Sequence, residues 1–251
     1  MVKIRTLAVF ILFIALAAVL GGCGGKQVKK DEDFNAEKFL AKANTLIDNG
    51  NYDEARKVLL EVKNRDLTKK YAPLAQLRIA ASYIQDSDPD HGIEEYRKFL
   101  ELYPDNAQAS YAQYQIAMAY FTQIVGVDRG LSAAQKALQE FTRLKELYPR
   151  NPYRDIIELR VQKCRKVMAE GEFDVGKFYY KKEAYKPAIS RLEGLLKQFP
   201  EYDGADETFL LLGKSYKALK MEDKAREAFK TLIEKYPSSR FVKEARKGLQ
   251  G

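Results

Sequence analysis

Apolar residues in this chain recur at intervals of three and four rather than two. Over residues 206–237 the sequence reads DETFLLLGKSYKALKMEDKAREAFKTLIEKYP, two such runs broken at Lys220-Met221-Glu222-Asp223. The pattern predicts two short amphipathic helices joined by a tight turn. Gly213 and Ala225 are small where the helices must approach, Tyr216 and Phe229 are bulky where the gap must be filled, and Pro237 ends the second helix. One hairpin of this size leaves an apolar face open, so copies are expected upstream.

The same register recurs four times. Repeat 1 begins at Ala36, behind an Asn35 N-cap and a Phe34–Phe39 staple, with Gly50-Asn51-Tyr52 as its turn and Ala55 and Leu59 as second-helix packing residues. Repeat 2 places Ile79, Ala80 and Tyr83 on its first helix and Gly92 and Tyr96 on its second. Repeat 3 uses Ile116, Ala117 and Tyr120, then Ala137 and Phe141; repeat 4 uses Val175, Gly176 and Tyr179, then Ala188 and Leu192. Bulky, small and aromatic residues at this period match the tetratricopeptide pattern. The fold class is all-α: a solenoid of five helix hairpins.

Two repeats depart from the ruler. Tyr120 and Ala137 are 17 positions apart where Tyr216 and Ala225 are nine apart, so eight extra residues are expected between the helices of repeat 3, around residues 125–130. In repeat 4, Asn151-Pro152 reads as a helix start, and Val161, Cys164, Met168, Val175 and Phe178 carry one apolar stripe onward. An extended helix of about 30 residues, roughly 45 Å long, is expected there.

The N-terminus reads differently. Lys3 and Arg5 precede an apolar run from Leu7 to Leu20, short for a span and typical of a signal peptide. It ends in Leu20-Gly21-Gly22-Cys23, which resembles a bacterial lipobox with Cys23 as the lipidated residue; the other reading is an ordinary secretory signal. Gly24 after Cys23 is similar to outer-membrane sorting signals. The organisation expected is residues 1–22 signal peptide, 23–33 lipidated tether, 34–149 repeats 1–3, 150–237 repeats 4–5, and 238–251 a solubilising cap helix. Removing Lys3 and Arg5 lowers the net charge from +8 to +6. For an exported chain, that surplus points to acidic protein partners or anionic headgroups rather than nucleic acid. Cys164 alone remains after lipidation, so no disulfide framework is expected.

Catalytic and metal chemistry find little support. Residues 86–92, DSDPDHG, look superficially like a calcium loop, but Pro89 interrupts it, its glycine is late, and Arg97 stands where a glutamate should. A turn whose aspartates cap the next helix is the simpler account. His91 is the single imidazole, and no second motif makes it part of a triad. No spacing singles out a glycosidase pair of carboxylates. Cys164, on an apolar stripe, reads as a buried small hydrophobe. First-helix residues that do not pack on their own second helix suggest instead a binding stripe: Tyr111, Tyr114, Met118 and Phe121 in repeat 3, with Asn44, Leu77 and Arg78 facing the same hollow. They either form a groove for an extended apolar peptide or pack between repeats 2 and 3 as core. The Lys/Asn clamp of chaperone-type repeats is incomplete: Asn44 fits, but Leu40, Leu77 and Tyr111 replace polar positions.

The Cys23 lipobox, the five repeats, the inserted Gly126-Val127-Asp128-Arg129 followed by FTRLKELYPRNPY, and residues 181–207, KKEAYKPAISRLEGLLKQFPEYDGADE, together resemble the BamD family of outer-membrane lipoproteins. Gly130 departs from the family pattern. The resemblance implies a non-enzymatic scaffold of the β-barrel assembly machinery, lipid-anchored at the cell outer membrane and facing the periplasm. It implies early repeats that bind C-terminal segments of unfolded outer-membrane proteins, and later repeats that dock on BamA POTRA domains and on other lipoproteins of the machinery. Asp128, Arg129 and Arg191 are the partner-docking residues it suggests. No cofactor is implied beyond diacylglycerol and an N-acyl chain on Cys23. Alternatives are a pilotin-like repeat lipoprotein for secretin or type IV pilus assembly and a cell-wall hydrolase.

Overall fold

A computed structural model describes residues 34–250; the Cys23 lipobox lies outside them. The described residues form eleven helices and no strand: α1 Ala36–Asp48, α2 Tyr52–Arg65, α3 Ala72–Gln85, α4 Pro89–Leu102, α5 Ala109–Phe121, α6 Gly126–Leu147, α7 Arg154–Lys181, α8 Tyr185–Gln198, α9 Ala205–Ala218, α10 Glu222–Lys235 and α11 Val242–Gln250. Each packs mainly on its neighbours in sequence, and α11 closes the array against α10 and α9. Five hairpins and a final helix result, with the core divided into clusters along the stack rather than gathered at one centre.

Local chemistry sets the hairpins. Asn35 accepts a hydrogen bond from the Lys38 N–H at 3.0 Å, and the rings of Phe34 and Phe39 stand 5.4 Å apart, forming the expected cap and staple. Four of the five hairpin turns are the same object. Gly50, Ser87, Glu183 and Lys220 adopt left-handed φ of +76°, +62°, +58° and +59°. The next N–H then reaches back to close the turn: Asn51 to the Leu46 carbonyl, Asp88 to Tyr83, Ala184 to Tyr179 and Met221 to Tyr216. Between the helices, small residues admit large ones. A β-carbon on Gly213 would stand 2.4 Å from the Phe229 ring, so the close approach of α9 and α10 requires glycine.

Repeat 3 breaks this turn. The eight extra residues are not a loop: α6 has 22 residues where the other second helices have 14. They form about two added turns at its start, and the left-handed residue moves to Gly126, φ +68°. Helix α7, 28 residues and about 42 Å long, is the extended helix expected. Its start lies two residues later than the Asn151-Pro152 signal, because Asn151 Oδ1 accepts from the Tyr153 N–H in a turn before the helix. Its stripe also drifts. Cys164 and Val167 are buried, but Val175 is 36% and Phe178 55% exposed, so these two are surface residues rather than core. Helix α7 packs on α6 over one length and on α8 over the other, and its buried face turns with the change of partner to Phe173 and Gly176.

Candidate binding seam

Helix α5 carries Tyr111, Tyr114, Met118 and Phe121, all half-buried, against the segment that enters α7. Tyr114 stacks on Tyr153 with centroids 4.1 Å apart and planes 13° from parallel. Phe121 meets Phe141 edge-on at 6.0 Å, and Tyr111 meets Tyr96 edge-on at 6.5 Å. Each ring is thus anchored from beneath by the repeat core while part of it stays open. The rings make the packing contacts that the core reading expects, and each keeps part of its surface open.

The other stripe residues are dispersed. Leu77 is 4% exposed inside the cluster between repeats 2 and 3 and offers no open surface, which corrects its place in the hollow. Arg78 bridges repeats, donating from Nη1 to the Leu40 carbonyl at 3.3 Å, and burial holds its pKa below the usual arginine value. Asn44 is half-buried on α1. Asp128 and Arg129 fall in the first turns of α6, and their side chains lie outside the described residues. Arg191 is exposed and pairs with Glu172 of α7 at 3.1 Å.

One residue that the sequence reading missed belongs to the seam. The Arg160 guanidinium lies over Tyr114 and Phe121, 5.7 Å and 5.6 Å from their centroids, within cation–π range. Its Nε and Nη1 are buried without a hydrogen-bond partner. The signal was present: Arg160 is three residues after Ile157 and four before Cys164, both fully buried, so a cation stands in an apolar stripe.

A second hollow has its charges paired. A hollow of about 330 Å³ between α7 and the α8–α9 turn is lined by Arg165, Lys166, Phe199, Glu201, Tyr202 and Asp203, where Arg165 pairs with Glu201 and Lys166 with Asp203. Burial and nearby carboxylates push the Tyr202 hydroxyl up to about 12. Burial likewise pushes the Cys164 thiol up to about 11. Asp88 caps α4 by accepting from the His91 N–H, and His91 Nδ1 lies 2.6 Å from the same carboxylate, so this one aspartate acts as the helix cap while Asp86 pairs with Arg56. Among the described residues no cluster of His, Cys, Asp or Glu could hold a metal, and no helix is long and apolar enough to cross a membrane.

Stacked helical hairpins around an aromatic seam define a tetratricopeptide-type protein. The chain belongs to the YfiO outer membrane lipoprotein family, whose model matches residues 32–228. It is similar to the outer membrane protein assembly factor BamD of Caulobacter vibrioides, 25% identical with 95% of this chain and 79% of that one covered. The proteins of the same name from Neisseria meningitidis serogroup B, 25% identical over 93% of each chain, and Haemophilus influenzae, 24% identical over 92% and 90%, are also similar. Among solved structures, the TPR2AB domain of yeast Sti1 aligns at a TM-score of 0.47 and 17% identity, covering 81% of this chain and 78% of that one.

Proposed function

We propose that this chain is a non-enzymatic scaffold of the outer-membrane β-barrel assembly machinery. Lipid on Cys23 anchors it to the outer membrane, facing the periplasm. Repeats 1–3 receive extended C-terminal segments of unfolded barrel proteins, and repeats 4–5 dock on the POTRA domains of BamA and on companion lipoproteins. The observation that carries this reading is the α5 stripe of Tyr111, Tyr114, Met118 and Phe121, anchored inside yet open outside, in a member of this family. A barrel strand alternates apolar and aromatic side chains, and aromatic and Met surfaces accept such a strand without covalent chemistry. Arg191 supports the docking role, because it is exposed and its ion pair with the half-buried Glu172 contributes little.

Affinity purification of the full-length chain from detergent-solubilised membranes tests the assignment: recovery of BamA is expected, and recovery of a secretin in its place would transfer the chain to the pilotin class. For the groove, the double change Tyr114→Ala with Phe121→Ala is expected to weaken binding of a barrel C-terminal peptide several-fold. Unchanged affinity in a folded double variant would return both rings to a packing role.

A further inference from the structure

The Arg160 side chain poses a problem of charge. Buried polar groups are almost always hydrogen-bonded, and a cation with unpaired donors is the costliest exception. Yet Nε and Nη1 of Arg160 are buried with no partner, and no described carboxylate pairs with the residue. Since Nη2 is neither buried nor bonded, it is the guanidinium nitrogen that opens on the surface. What holds the group in place is aromatic: the rings of Tyr114 and Phe121 beneath it, and Tyr153 stacked on Tyr114. By contrast, Arg56, Arg65, Arg97, Arg165 and Arg191 each meet an aspartate or glutamate. Arg160 is a fixed positive charge set into an aromatic surface, its donor capacity unspent.

We propose that Arg160 anchors a carboxylate of the peptide bound in the α5–α7 seam, an inference that rests on the peptide-groove reading above. The surroundings select the ligand. A single guanidinium among Tyr, Phe and Met side chains matches a monoanion next to apolar or aromatic residues. A phosphate would call for several donors, and among the described residues Arg160 is the one cation over these two rings. Pairing at Nη2 forms a charge-assisted hydrogen bond at the rim of the rings, stronger than a neutral one. The anchor takes over the task of the incomplete clamp on α1, α3 and α5, from the next helix along the stack. Two peptide carboxylates share this chemistry: the chain terminus, and an aspartate or glutamate side chain.

Fluorescence anisotropy on the full mature chain separates them with three labelled ten-residue peptides of alternating aromatic and polar residues. One ends in an aromatic residue with a free carboxylate, the second is its C-terminal amide, and the third is the amide with one internal glutamate. The wild type is expected to bind at least one acidic peptide about ten-fold or more tightly than the neutral amide. Arg160→Gln should abolish that preference, the acidic peptides losing about ten-fold more affinity than the neutral amide loses. Arg160→Lys, which keeps the charge, should retain part of it and covers the case in which the glutamine variant fails to fold. Preference for the free acid assigns the site to a chain terminus, and preference for the glutamate peptide assigns it to a side chain. Equal binding of all three peptides, or an equal loss for all three in the variants, would overturn the anchor while leaving the groove standing. Failure of every peptide to bind the wild type would instead remove the groove itself.

Discussion

Gln113 on α5 donates through Nε2 to the Glu140 carboxylate on α6 at 2.8 Å, and Gln76 on α3 makes the same contact with Glu95 on α4 at 2.7 Å. Gln76 and Gln113 are 37 positions apart, whereas Glu95 and Glu140 are 45 apart. The difference of eight is the number of residues by which α6 exceeds the other second helices. The insertion therefore lies wholly upstream of the packed register, and the hairpin contact passes through it unchanged. Repeat 4 has Glu172 and Arg191 at the corresponding places, joined as an ion pair.

Glu140 is 7% exposed and also receives Arg97 Nη2 at 2.8 Å, so it joins α4, α5 and α6. Glu140→Ala leaves the buried Gln113 amide with only its longer bond to the residue 140 carbonyl, at 3.3 Å, and frees a partly exposed cation. A loss of about 2 kcal/mol is expected, a fall in Tm of about 4–8 °C for a chain of this size. Thermal unfolding followed by circular dichroism checks it; Glu140→Gln, which keeps one acceptor, should lose less.

The glycines separate packing from propensity. A β-carbon at Gly213 meets three atoms of the Phe229 ring within 2.7 Å, while one at Gly194 in α8 meets nothing within 4 Å. Gly213→Ala should destabilise by about 1–3 kcal/mol through overpacking, because Phe229 is itself only 2% exposed and has nowhere to move. Gly194→Ala should stabilise by up to about 1 kcal/mol through helix propensity alone. Urea titrations of the two variants should move in opposite directions.

How much could be read beforehand follows from which interactions are local. The Ala80, Ala117, Gly176 and Gly213 register and its partners Tyr83, Tyr120, Tyr179 and Tyr216 are legible because small-against-large packing is written within one hairpin. That the insertion is helical is not legible, because Gly126 and Gly130 are weak helix formers. In the fold Gly126 takes the left-handed start, and a β-carbon at Gly130 would come within 3.0 Å of Ile124, so these glycines permit a close-packed helix start. Val175 and Phe178 continue the apolar stripe in the sequence yet lie at the surface, because α7 changes partner on the way. Leu77 shows the same limit: which first-helix residue stays open depends on the following repeat. The Arg160 cluster needs α5 and α7 side by side, and nothing in either helix alone specifies that pairing.

Cys164 is fully buried, and its thiol is pushed up to about 11. At pH 8 roughly one part in a thousand would be thiolate, and that fraction is shielded. Alkylation at Cys164 by iodoacetamide, followed by peptide mass spectrometry, should be at least about 100-fold slower in the native chain than in urea. Labelling at equal rates would mean that α7 opens on the timescale of the reaction.

Acid should find a specific weak point between repeats 1 and 2. The Asp66 carboxylate, 9% exposed, accepts from the Thr68 N–H and hydroxyl, from the Tyr71 N–H and from the Ala72 N–H at 2.8 Å, where α3 begins. Burial alone would raise its pKa, but these donors outweigh burial and hold it below the usual aspartate range. A lowered folded-state value means that the unfolded chain takes up the proton first on acidification. The stabilisation is therefore complete above about pH 5 and is lost as pH falls below 4 through the folded value. Asp66→Asn, which keeps one acceptor but no charge, should lower Tm at pH 7. Its Tm should then fall less steeply than that of the wild type between pH 5 and pH 3. The amide protons of Tyr71 and Ala72 should exchange faster in the variant at pH 7 while those within α9 are unaffected. Parallel pH profiles for the two proteins would show that this carboxylate does not govern the acid limb.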